Sequence, residues 1–117
     1  PDLCARQDRI AQAYAAGVPM GGQLSAARDR KPRFLVLASS DPGTAARPGT
    51  PLQRVQIVKG WLTPEGEFQE RVFDVAGDAR GLATVDTQTC ETSGEGFAEL
   101  CTVWTDDDFH SGEQAYY

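Results

Sequence analysis

The sequence predicts a mainly β protein: an antiparallel β-sandwich, immunoglobulin-like or similar, with a short N-terminal helix. Three observations lead there. Short apolar and β-branched runs recur along the chain, the most regular being LQRVQIVKGWLTPEGEFQERVFDVA at 52–76. Gly-, Pro- and Asp-rich turn signals separate them. No helical pattern alternates with these runs, which disfavours a parallel α/β sheet. At 117 residues the chain fits one domain with a modest core. The expected organisation is a helix and connector over 1–24, then a sandwich over 25–117 whose last strand is cut short.

Each element has its own reason. Residues 3–16, LCARQDRIAQAYAA, read as a helix that Asp2 caps and Gly17 ends, with Pro19 just beyond. Leu3, Ile10 and Tyr14 make only a thin apolar stripe, so this helix needs a surface to lie on. GVPMGG follows as a connector. RFLVLAS at 33–39 is a continuous apolar run bounded by Pro32 and Asp41-Pro42, the signature of a buried strand. SDPGTAARPGTP is a long surface connection; it lacks the Gly-Lys-Ser/Thr ending and following helix of a phosphate-binding loop.

In the 52–76 stretch, Val55, Ile57 and Trp61 alternate onto one face and Gln56 and Gly60 onto the other, while Val58 and Leu62 break strict alternation. Both faces are therefore expected to be partly covered. TPEG at 63–66 places Pro64 second and Gly66 fourth, as a type I turn prefers. A two-stranded hairpin is unstable alone in water and must join a larger sheet. GLATVDT at 81–87 is a weaker strand. AELCTVWTD at 98–106 is a stronger one, with Leu100, Thr102 and Trp104 on one face and Cys101 and Val103 on the other. EQAYY at the end reads as the opening of another strand.

Charge narrows the partners. Eleven basic against seventeen acidic residues give a net charge of −6, which argues against nucleic acid and anionic membranes. The longest apolar run, FLVLA, is far short of the roughly 20 residues that span a bilayer. No secretory signal is seen, and the chain opens on proline rather than methionine, which leaves room for an upstream leader.

Cys90 and Cys101 bracket a Gly/Ser-containing segment, and their pairing is the expected disulfide, contributing about 3 kcal/mol. Two buried free thiols are the alternative. Cys4 is left over. Without a CxxC pair, and with His110 as the single histidine, a zinc site is not expected.

No catalytic cluster emerges. His110, beside the acidic run DDDFHSGE, reads as a solvated loop residue because no nucleophile or second ligand is in view. Ser39 and Ser40 lack the Gly-x-Ser-x-Gly elbow. Asp106, Asp107 and Asp108 do not match a calcium-loop spacing and read as an acidic turn. Trp61 and Trp104, with Tyr116 and Tyr117, are either an aromatic platform for sugars or core residues.

The segments GVPMGGQL, PGTPLQRVQIVKGWL, FDVAGD and ELCTVWTDDDF…AYY resemble the bacterial family called domain of unknown function 3604 over residues 14–117. Members of that family are several times longer. Their N-terminal part is similar to metal-dependent hydrolases of the polymerase and histidinol phosphatase type. The metal motifs lie upstream of the matched region, and this chain has no His-x-His pair. The resemblance thus implies a non-catalytic accessory β-domain, with no cofactor of its own, packed on an upstream hydrolase-like domain. It implies export to the periplasm or beyond, in keeping with a Cys90–Cys101 bridge, which recurs in the family. Arg54 and Lys59 become candidates for touching an anionic substrate in a neighbouring site, the alternative being a solvated strand edge. The second reading is a carbohydrate- or other ligand-binding module using Trp61 and Trp104. Pairing of two copies through an edge strand is a further expectation.

Overall fold

A computed structural model describes residues 2–25, 30–81 and 83–117. The chain is mainly β, with several antiparallel sheets and one short helix. A 3-10 turn over Leu3–Ala5 comes first, started by Asp2, whose side chain accepts from the Cys4 N–H. Helix α1 follows at Arg9–Ala16, and the Gly17 N–H closes it by donating to the Ala13 carbonyl. The expected 3–16 helix is therefore split: Arg6 is extended, and the Arg9 guanidinium donates to the Cys4 carbonyl across the break.

Strand β1 (Arg33–Ser39) is followed by a miniature hairpin, β2 (Gly43–Thr44) and β3 (Arg47–Pro48), inside the long connection. The central hairpin is β4 (Arg54–Leu62) and β5 (Phe68–Gly77), paired over its whole length with an irregularity at Val55/Gln56. Its turn is as expected: the Gly66 N–H donates to the Thr63 carbonyl at 2.9 Å, and Gly66 has φ +86°, which a side chain would resist. Among the described residues of the weak strand over 81–87, β6 (Thr84–Val85) forms and pairs with β7 (Thr92–Ser93). Strand β8 (Glu99–Thr105) pairs with β1, and β9 (Ala115–Tyr116) lies on the free side of β4.

Two layers face each other. The β1–β8 pair turns Phe34, Leu100 and Trp104 inward; the β5–β4–β9 sheet answers with Ile57 and Phe73. Trp104 packs on Phe73 at 4.9 Å and Phe34 at 5.8 Å between ring centres, and Tyr117 lies 4.4 Å from Phe34. Among the described residues only Ile57 and Leu100 are buried hydrophobics, so this core is thin.

The disulfide expectation is corrected. Cys101 bonds to Cys4, with Cα atoms 5.8 Å apart, and Cys90 is free and exposed. Cys90 sits in the tight turn joining β6 to β7, where its N–H donates to the Asp86 carbonyl. Cys101 projects from β8 on the side opposite Leu100 and Trp104, where the N-terminal segment lies.

Gly60 shows how close the sheet is built. A Cβ there would fall 2.2 Å from a ring carbon of Tyr116, which lies over it. Gly60→Ala is expected to push the Tyr116 ring aside and cost about 1–3 kcal/mol. Denaturant unfolding checks this, and adding Tyr116→Ala should recover part of the loss; a neutral Gly60→Ala would contradict it.

Candidate functional site

The period of two along β4 and β8 builds the site. Leu100, Thr102, Trp104 and then Asp106, just past the strand end, share one face. The Asp106 N–H donates to the Pro32 carbonyl, extending the β1–β8 ladder by one rung. On the facing sheet Ile57, Lys59 and Trp61 share a face. Lys59 and Asp106 therefore meet between the layers. They are 2% and 0% exposed, and Lys59 Nζ lies 2.7 Å from Asp106 Oδ2. The residues flanking β9 bring two more groups: Glu113 Oε1 is 2.6 Å from Lys59 Nζ as an ion pair, and the Tyr117 hydroxyl donates to Asp106 Oδ2 at 2.6 Å.

The electrostatics follow from burial and pairing. Burial alone would lower the Lys59 ammonium, but Asp106 and Glu113 outweigh it and hold Lys59 above its ordinary value. Burial would raise the Asp106 carboxyl, yet Lys59 and the Tyr117 hydroxyl hold it below the usual range. Burial and then Asp106 push the Tyr117 phenol upward. Lys59, Asp106 and Tyr117 therefore form a buried, charge-paired network.

Beside it an open cleft of about 300 Å³ lies between the inner sheet face and the loop after β8. Lys59, Trp61, Arg71 and Phe73 come from the sheet; Asp108, His110 and Glu113 come from the loop. Arg71 bonds Asp108 at 2.8 Å across the mouth, and both side chains are more than half exposed.

The sequence-predicted residues separate. Lys59 is buried and paired, which corrects the solvated-edge reading: its strand neighbours place it between layers, where only carboxylates make burial tolerable. Trp61 lines the cleft. Trp104 belongs to the aromatic core, and Arg54 is engaged away from the cleft with Asp74, at 3.5 Å, and the Ala79 carbonyl. Tyr116 faces the outer side and stacks on Phe68, so the four aromatics form no common platform. The three aspartates diverge: Asp106 serves Lys59 and Tyr117, while Asp108 serves Arg71. No group of three or more metal-ligating side chains converges among the described residues. The sequence reading placed Asp106 in an acidic turn and did not single out Glu113, although the apolar alternation of β8 runs straight into Asp106.

Fold and site together define a β-layered module held by a disulfide and a buried ion network. The chain belongs to the family described as protein of unknown function (DUF3604), whose model matches residues 1–117. Neither curated proteins nor solved structures gave a match. No helix among the described residues is long and apolar enough to cross a membrane.

Proposed function

We propose that this chain is a non-catalytic accessory β-module of a larger, exported metal-dependent hydrolase, docked on that protein through the outer face of β4, β5 and β9. The observation that carries this reading is excess surface. The accessible area is 9102 Å² for 12.6 kDa, where a compact monomer of that mass exposes about 6,200 Å². The radius of gyration is 17.3 Å, against about 13 Å for a compact chain of this length. Such a chain has surface meant for something else to cover.

The outer sheet face is the best candidate for that surface. Val58, Leu62, Phe68, Val72 and Tyr116 are all exposed and lie side by side in register. A largely apolar patch of this kind, with Glu70 the charged residue among them on β5, marks an interaction site. The occupant that fits is an apolar face of the larger polypeptide. The Cys4–Cys101 bridge supports an oxidising, periplasmic or secreted setting.

Hydrogen exchange in the larger protein and in this chain alone tests the reading. Amides of β5 should be protected at least about tenfold more in the larger protein, and Val72→Asp should remove that difference. Equal exchange in both would refute docking through this face. Concentration-dependent mass of the isolated chain, abolished by Val72→Asp, would instead assign the face to a second copy.

A further inference from the structure

We infer that the cleft beside Lys59 binds a neutral, polyhydroxylated ligand of about monosaccharide size. This site lies on the inner side of the sheet, away from the proposed docking face, and does not depend on it. Its volume, about 300 Å³, is at the lower end for small-ligand sites.

Charge selects the ligand class. The cleft shows two cations, Lys59 and Arg71, and two carboxylates, Asp108 and Glu113, with Asp106 directly behind Lys59. An anion would meet these carboxylates with no cation left uncommitted among the lining residues. A cation finds no free aromatic face, because Lys59 Nζ already sits 5.0 Å from the Trp61 ring centre and the Arg71 guanidinium 4.7 Å from that of Phe73. A neutral polyol needs no net charge. Its hydroxyls donate to Asp108 and Glu113 and accept from Arg71. The Arg71–Asp108 pair is exposed at both ends, 59% and 62%, so opening it toward a ligand costs little.

The test uses the 117-residue chain with D-glucose, D-galactose and N-acetylglucosamine as neutral probes, and glucuronate and glucosamine as charged ones. Binding is read from the Trp61 indole N–H resonance. At least one neutral sugar should give a saturable shift, weakened about tenfold in Arg71→Ala and in Asp108→Ala. Both variants should keep the parent unfolding midpoint, because both side chains are exposed and outside the core. The proposal is overturned if no neutral sugar saturates, if only a charged probe binds, or if binding survives both substitutions unchanged. Hydrogen exchange at β5 reads the docking proposal separately, so either can fail alone.

Discussion

Lys59→Met is expected to destabilise the protein by about 3–5 kcal/mol, because it removes the cation from a buried network and leaves two carboxylates facing each other. Asp106 is 0% exposed and cannot recover the lost pairing from water. Stability for a chain of this size is of the order of 6–18 kcal/mol, so the loss is a large share of the total. Asp106→Asn should cost less than Lys59→Met, since an amide still accepts from the Tyr117 hydroxyl. The double variant should cost clearly less than the two single losses added, because Lys59 and Asp106 are in direct contact at 2.7 Å. Additivity within about 0.5 kcal/mol in denaturant unfolding would mean that the pair is not coupled.

The same network sets a pH window. The folded Asp106 carboxyl is held below its ordinary 3.8, so its contribution is present above that value and is lost as pH falls through the folded value. Lys59 is raised above 10.5, and Tyr117 above 10.0, so their contributions are present below those values and are lost as pH rises through the folded ones. The unfolding midpoint should therefore show a plateau between the two limbs. In Lys59→Met the acid limb should weaken or reverse, because Asp106 then lacks the cation that depressed it.

The hairpin was readable because its evidence is local. Alternation along 54–62, the TPEG turn and the apolar return strand lie within 25 residues, and pairing follows from them. Strand β8 was readable for the same reason, down to which residues share a face. The ion network was not, because Lys59 and Asp106 are 47 positions apart and nothing near Lys59 announces its counter-ion. A lysine between Val58 and Trp61 is equally a solvated edge residue until the layer above it is placed. Periodicity did hold one unused signal: carried two residues past Trp104, it puts Asp106 on the buried side. The paired strands β2, β3, β6 and β7 are two residues each, too short for any period to declare them. Cys90 was chosen for its nearness to Cys101, although loop length says nothing about which side of a strand a thiol faces.

Cys4→Ser is expected to cost about 4–5 kcal/mol, whereas Cys90→Ser should be nearly neutral. The Cys4–Cys101 bridge spans 97 positions, and restricting an unfolded loop of about 100 residues is worth about 4.7 kcal/mol in the chain-entropy account. The N-terminal segment has few other anchors: no residue of α1 is buried, and its link to β8 besides the bridge is the Arg9–Glu99 pair at 2.9 Å. An exposed ion pair contributes at most about 1 kcal/mol, so it cannot hold the segment by itself. Denaturant unfolding of both variants, with and without reductant, separates the contributions. Reductant should bring the parent down to the Cys4→Ser level and leave Cys4→Ser unmoved. If Cys90→Ser lost the stability instead, the bridge would run to the β6–β7 turn. A thin core, with Ile57 and Leu100 the only buried hydrophobics among the described residues, makes this covalent tie a main support of the isolated chain. Reduction should then release helix α1 first, before the β4–β5 hairpin melts, which amide exchange can resolve element by element.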